Sequence, residues 1–340
     1  MSKKFKNVLS IAGVLLIIVG IFMPTSCGNM GITELVGRIK IIQPHLITES
    51  DKEEVRTAEE KITNPKTAND YFLKGYIAQM DENYEKALEH YQKVIELKPT
   101  FVEAYFNMGY AYTLTLKFDE AIQSFQKVIE LNPEFEEAYF NMGYAYALSE
   151  KNDEAMQSFL KVIELNPDRT DAYYYMGNIY SNQDKNDEAI ECYQKTIEIK
   201  PDFADAYYNM GLTLGKKKKY DEAIQSFQKV IELNPNHISA YYNMGLAYGI
   251  LGKFDEMIQS CQKAIELNPN DKMAYINMGL IYNDIRKYND AIQFFQKAID
   301  LDPDFAFSYH CLWYSYTMLY DYAKADEYIQ KARELKEKNN

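Results

Sequence analysis

Histidine and cysteine are scarce, four of each in 340 residues. The cysteines (Cys27, Cys192, Cys261, Cys311) are too few and too scattered for the disulfide framework with which small exported domains replace a missing core. No cysteine lies within four residues of another, and His45, His90, His237 and His310 have no partner at metal-ligand spacing, so no metal site is expected. Basic surface is also lacking: 37 Lys and Arg stand against 50 Asp and Glu, for a net charge of −13. With Lys3, Lys4 and Lys6 set aside, the chain after residue 27 carries −16. Such a surface repels phosphate, which makes nucleic acid and bare anionic lipid poor partners and leaves basic or neutral polypeptides open. The one dense basic run within the body of the chain, Lys216 to Lys219, crosses a helix end and reads as a solvated turn. Gly211 to Gly215 and Gly245 to Gly249 fall inside helical patterns, not in a phosphate loop after a strand. No motif carries a catalytic mechanism, so the expectation is no enzyme, no cofactor and no small-molecule substrate.

Long apolar runs are confined to one place. Three lysines precede the sixteen residues Val8 to Met23, and Pro24-Thr25-Ser26-Cys27-Gly28 follows, the layout of an export signal. As a helix the run covers roughly 24 Å, short of a hydrocarbon core of about 30 Å. Thr25-Ser26-Cys27 resembles a bacterial lipoprotein cleavage box, which makes Cys27 the candidate lipidated residue; Pro24 departs from the aliphatic residue usual there. A lipoprotein, an uncleaved signal anchor (a transmembrane helix) and a plain cleaved signal all fit residues 1–27. The first two tether the chain to a membrane through its N-terminus and place the rest outside the cytoplasm, in the cell envelope. Residues 28–67 read as a spacer, with Ser50 and Glu53 opening a possible capping helix that Asn64-Pro65 stops.

What is abundant is repetition. Prolines at 99, 133, 167, 201, 235, 269 and 303 recur every 34 residues without a slip. Units then run 68–101, 102–135, 136–169, 170–203, 204–237, 238–271, 272–305 and 306–339. Within each, apolar residues at positions 4, 7, 8 and 11 form one face of a first helix, as Tyr105, Met108, Gly109 and Tyr112 show. Position 8 is glycine in seven units and position 20 alanine in seven, which predicts small residues facing each other across a close helix pair. Acidic pairs such as Asp119-Glu120 are expected to cap the second helix, and Asn132-Pro133 to end it.

Tyr at 4, Gly at 8, Tyr at 11, Ala at 20, an aromatic at 24 and Pro at 32 resemble the tetratricopeptide repeat over about 80% of the chain. The resemblance implies an all-α, right-handed superhelical solenoid of eight 34-residue helix-turn-helix repeats, whose first helices line a concave groove for a partner's peptide or helix. In the family, positions 2, 5, 9, 12 and 13 face that groove. Here they give Phe72, Tyr76, Phe106, Tyr110, Phe140, Tyr144 and Tyr174, beside an acidic row of Glu103, Glu137, Asp171 and Asp205. An aromatic floor with an acidic edge suits a protein segment bearing apolar anchors and Lys or Arg. Lys216 is the lone basic residue at these positions, which argues against a clamp for a terminal carboxylate. The aromatics have a second reading, as packing between neighbouring units. The function implied is a tethered protein-interaction scaffold or adaptor; a self-associating envelope element and a regulatory subunit of an envelope enzyme or export machine remain open beside it.

Three departures from the pattern carry further expectations. Met257 replaces alanine and Cys261 an aromatic in repeat six, the smaller residue making room for the larger. Asn152 and Asn186 at position 17, with Thr196 at an apolar position, predict a soft joint between repeats three and four. Trp313 replaces the glycine of repeat eight, whose polar end reads as a cap.

Overall fold

The computed structural model describes residues 64–338 together with Glu53, Arg56, Thr57 and Ile62. The signal or anchor expected at 1–27, Cys27 included, and most of the spacer lie outside the described residues. Of the residues read as a capping helix, Glu53, Arg56 and Thr57 are described and are helical, and Arg56 pairs with Asp81 at 2.8 Å.

Among the described residues there are sixteen α-helices and no strands. They are α1 Ala68–Met80, α2 Tyr84–Leu97, α3 Val102–Leu114, α4 Phe118–Leu131, α5 Glu136–Leu148, α6 Asn152–Leu165, α7 Thr170–Asn182 and α8 Asn186–Ile199. Then follow α9 Ala204–Lys216, α10 Tyr220–Leu233, α11 Ile238–Ile250, α12 Phe254–Leu267, α13 Lys272–Asp284, α14 Tyr288–Leu301, α15 Ala306–Met318 and α16 Tyr322–Lys338. Odd-numbered helices are the first helix of a repeat and even-numbered ones the second. The chain divides into two compact units, one up to Asn107 and one from Met108, with the division inside α3.

In the first unit Thr67 caps α1: its hydroxyl accepts from the Asp70 N–H at 3.2 Å, and the Asp70 carboxylate accepts from the Thr67 N–H at 2.9 Å. Two donors that the helix leaves open are thereby satisfied. The α1–α2 pair closes over Phe72, Leu73, Tyr76 and Tyr91, all fully buried. The Tyr91 hydroxyl donates to Gln79 at 3.1 Å.

In the second unit each first helix packs on its own second helix, and each second helix packs on the first helix of the following repeat from α4 onward. What stands against the glycine of position 8 is the ring of position 24, not the alanine of position 20. A β-carbon on Gly109 would fall 2.6 Å from Phe125, one on Gly143 2.9 Å from Phe159, and one on Gly211 2.8 Å from Phe227. The glycine recurs because an aromatic edge lies directly on the helix backbone, which outweighs the roughly 1 kcal/mol that glycine costs a helix interior.

The turn between paired helices has one geometry throughout. Leu116 (φ 61°), Glu150 (φ 64°), Asp184 (φ 57°), Lys218, Arg286 and Tyr320 (φ 61° each) are left-handed without being glycine, and Gly252 (φ 73°) occupies the same place in repeat six. The next N–H reaches back across the turn, as Lys117 to the Tyr112 carbonyl at 2.9 Å and Lys151 to that of Tyr146 at 2.9 Å. This is the left-handed helix end in which a 6→1 bond satisfies a last-turn carbonyl.

The acidic pairs do not cap the second helices with their side chains. Lys117, Lys151, Lys185, Lys219, Lys253 and Lys287 occupy the cap position and make no side-chain cap bond. The acids lie in the first turn, where the helix dipole favours them. Several also tie successive repeats together, Asp119 to Lys151 at 2.8 Å and Asp221 to Lys253 at 3.0 Å. Lys216 to Lys219 belong to the same system: Lys217 pairs with Asp187, Lys219 with Glu222, and Lys216 lies 3.7 Å from Asp184.

At the joint between repeats three and four the space is filled. Tyr175, where most repeats have asparagine, stacks on Phe159 (5.8 Å between centroids) and meets Phe140 and Tyr144 edge-on. Thr196 is fully buried and its hydroxyl donates to the Cys192 carbonyl at 2.9 Å. In repeat six the methionine's room comes from Gly249 as well as Cys261. A β-carbon on Gly249 would lie 2.6 Å from the Met257 sulfur, whereas Gly245 faces the Cys261 sulfur at 3.1 Å.

Candidate functional site

Most aromatics expected to line a groove are in the core, so the packing reading of these residues is the one their burial fits. In the first unit Phe72 and Tyr76 are 0% exposed and Phe106 8%, with Phe72 stacked 5.0 Å from Phe101. Glu103 is half-buried. In the second unit Phe140, Tyr144 and Tyr174 are buried, and Tyr110 is the one ring of the set that is partly exposed. Burial pushes the Tyr144 and Tyr174 hydroxyls up to about 12. Tyr174 also accepts from Asn209 Nδ2 at 3.0 Å, and Tyr208 in the next repeat accepts from Asn243 at 3.1 Å, so the position 5 phenols hold neighbouring repeats together.

The residue that buries these rings is the last of each repeat. Phe101 covers Phe72, Phe203 lies 5.1 Å from Tyr174, and His237 lies 4.8 Å from Tyr208. In repeat three this place is taken by Arg169, whose guanidinium sits 4.6 Å from the Phe140 centroid. The same side chain lies 2.8 Å from Glu136, 3.5 Å from Glu137 and 3.8 Å from Asp171. Two of the acids expected at a groove edge, Glu137 and Asp171, are thereby brought together around an internal cation. Burial raises the Asp171 carboxyl while Arg169 and Lys200 draw it back. Asp205 is half-buried in the first turn of α9.

Apolar surface is exposed elsewhere on the first helices. Leu246 (56%), Ile250 (62%), Met273 (41%), Leu280 (37%), Phe307 (45%), Tyr314 (43%) and Met318 (40%) are all open to solvent. Every one stands at position 2, 9 or 13 of repeats six to eight. In a helix those positions lie within about 40° of one another, so each helix carries them as one stripe. The change from the preceding repeats is sharp at position 2, where Glu137, Asp171 and Asp205 give way to Ser239, Met273 and Phe307. Helix α15 packs beside α13, so their stripes adjoin. A run of exposed large apolar side chains on one face marks an interaction surface, whereas scattered ones carry no such meaning.

Among the described residues no cluster of His, Cys, Asp or Glu is arranged to hold a metal ion. Burial raises the Cys192 and Cys261 thiols to about 11 and that of Cys311 to about 12, away from nucleophilic use. No described helix is long and apolar enough to cross a membrane.

Family models agree with this architecture. The tetratricopeptide repeat model matches residues 102–135, 136–169, 204–237, 238–271 and 273–305. A TPR repeat model matches 81–114 and 177–218, and a second tetratricopeptide model 158–191. The chain belongs to the tetratricopeptide repeat family, whose fold is an interaction scaffold. The C-terminal part of a TPR repeat-containing protein from Cytophaga hutchinsonii shares the fold at 20% identity, with a TM-score of 0.64 over 71% of this chain and 99% of that one. MamA is 33% identical over 47% of this chain and 94% of its own, with a TM-score of 0.46. YrrB, described as a TPR protein with an unusual peptide-binding site, is 24% identical over 55% of this chain and 96% of its own, with a TM-score of 0.48. No curated protein matches the chain.

Proposed function

We propose that the protein is a membrane-tethered scaffold that holds a segment of another protein on the first helices of its C-terminal repeats. The observation that carries this is the stripe of open leucine, isoleucine, methionine and aromatic side chains that each of α11, α13 and α15 carries, those of α13 and α15 adjoining. A soluble surface keeps so much apolar area uncovered at one place where a partner covers it in use. The tether rests on the sequence of residues 1–27: three lysines, the apolar run Val8 to Met23, and Cys27 after two small residues. An export signal of this kind puts the repeats in the cell envelope. The absence of a catalytic constellation from the sequence fits an adaptor rather than an enzyme.

The test is capture of partners from envelope extracts of the native host by the intact chain and by a Leu246→Ser, Leu280→Ser, Tyr314→Ser variant. All three residues are exposed, so the variant should keep its fold, and a circular dichroism melt checks that it does. Bound proteins should be lost with the variant; capture at the wild-type level would refute the assignment. Intact-mass analysis of the membrane-extracted chain tests the tether. A first residue at lipidated Cys27, or an intact start with the apolar run present, supports it. A cleaved, unlipidated chain contradicts it.

A further inference from the structure

One acidic residue interrupts the apolar face. Asp284 stands at position 13 of repeat seven, four residues after Leu280 on the same stripe of α13, and its place in the neighbouring repeats is taken by Ile250 and Met318. It is exposed, and it forms no ion pair with any described residue.

Helix stability does not account for an acid there. Asp284 is the last residue of α13, where the negative end of the helix dipole disfavours a carboxylate by roughly 0.3–1 kcal/mol. The first-turn acids of this chain, Asp205 among them, sit where the dipole rewards them, and Asp284 does the reverse. Ion-pair networks between repeats do not account for it either. Asp221 with Lys253 and Asp119 with Lys151 link position 18 acids to position 16 lysines, Lys216 at position 13 of repeat five lies near Asp184, and Asp284 enters no such pair among the described residues. At the groove positions of repeats six to eight there is no Lys or Arg, and Arg286 and Lys287 in the following turn form no ion pair with Asp284 among the described residues, so an apolar partner lying over this face would cover a carboxylate with no bonded counter-charge. Covering a lone carboxylate without a counter-charge is costly, and a cation on the partner removes that cost and fixes its register.

We propose that the occupant of this face is a segment of another protein that carries large apolar residues and one Lys or Arg placed to meet Asp284. This rests on the interaction-scaffold reading above and specifies the partner's chemistry. A second copy of this chain is disfavoured by mutual repulsion at a net charge of −13. An anionic lipid surface is disfavoured by the same charge and by the carboxylate that ends the α13 stripe.

The test selects binders for the full-length protein from a phage-displayed library of random 12-residue peptides. Clones retained equally by the Leu246→Ser, Leu280→Ser, Tyr314→Ser variant are discarded. The remaining sequences should hold large apolar residues with a single Lys or Arg at a fixed offset from them. A synthetic member with that cation replaced by Glu should bind about tenfold or more weakly. Asp284→Lys should reverse the preference, and Asp284→Asn should abolish it. The variants' melting temperatures should stay within a few degrees of the wild type or rise. Binders that show no charge preference, or one unmoved by Asp284→Lys, overturn this inference and leave the scaffold reading standing. An absence of binders that depend on the three apolar residues overturns both. So does flotation with phosphatidylglycerol vesicles, or a dimer in sedimentation velocity, that is lost in the triple variant.

Discussion

The Arg169 guanidinium lies 4.6 Å from the centroid of the Phe140 ring and 2.8 Å from the Glu136 carboxylate. In repeats one and four the same place is held by Phe101 and Phe203. Repeat three therefore packs its ring under a cation, and that cation also gathers Glu137 and Asp171. Removing it withdraws a mostly buried charge from three acids. Arg169→Ala should cost about 2 kcal/mol in urea unfolding, with Arg169→Phe recovering part of the loss by restoring the ring contact. Equal stability of wild type and Arg169→Ala would mean the cluster contributes nothing.

The contact of the position 24 ring with the position 8 glycine makes a differential prediction. Gly109→Ala would place a carbon 2.6 Å from Phe125, a side chain that is fully buried and has nowhere to go. A loss of about 1–3 kcal/mol is expected despite alanine's higher helix propensity. Gly245→Ala meets the Cys261 sulfur at 3.1 Å, and its cost should be smaller by about 1 kcal/mol or more. Thermal melts of the two variants side by side decide it.

Leu116 is left-handed at φ 61° and 46% exposed, so the residue is strained and its side chain packs poorly. Leu116→Gly should raise stability by about 0.5–1 kcal/mol, since glycine accepts that conformation without steric cost. Gly252, already glycine at φ 73°, gives the converse: Gly252→Leu should lower it by a similar amount. Opposite signs for the two substitutions are the expected outcome of paired denaturant titrations.

High pH should unfold the chain through its buried phenols. The Tyr144 and Tyr174 hydroxyls are pushed up to about 12 by burial, from an ordinary value of 10.0. The folded state holds these protons more tightly than the unfolded state does. Their contribution is therefore complete below about pH 10 and is lost as pH rises through about 12. Tyr144→Phe with Tyr174→Phe should flatten that part of the stability profile, read by circular dichroism between those limits.

The helix pairs were legible because the prolines and the position 8 glycines fall at an unbroken spacing, and a strict period leaves one way to fold. The turn was not. Leu116, Glu150 and Asp184 give no hint of a left-handed backbone, since the geometry is imposed by the two helices it joins. Nor was the partner of each glycine visible: position 20 alanine and position 24 ring are both apolar and periodic, and only packing separates them. Gly249 reads in the sequence only as one more helix glycine for the same reason, although it is what admits the Met257 sulfur.

The interaction face was legible in part. Aromatics at the family's groove positions point to Phe140, Tyr144 and Tyr174, which are buried: Arg169 and Phe203, the last residues of their repeats, fold over Phe140 and Tyr174, and Tyr175 packs on Tyr144. That closing residue changes between Phe, Arg and His, so it does not register as a repeat position. The signal in the sequence is the replacement of Glu137, Asp171 and Asp205 by Ser239, Met273 and Phe307 along one position, a polarity change visible only from repeat to repeat and not within any one of them.

Site-specific photo-crosslinking in the native host tests the central claim most directly. A photoreactive phenylalanine analogue is placed in turn at Leu246, Leu280 and Tyr314 and, at the same position 9 of repeats two and four, at Tyr110 and Asn178 of the intact chain. Crosslinks to another protein from the first three sites, and few from Tyr110 and Asn178, are the predicted result. Crosslinks arising only from Tyr110 and Asn178, with Leu246, Leu280 and Tyr314 silent, would contradict it.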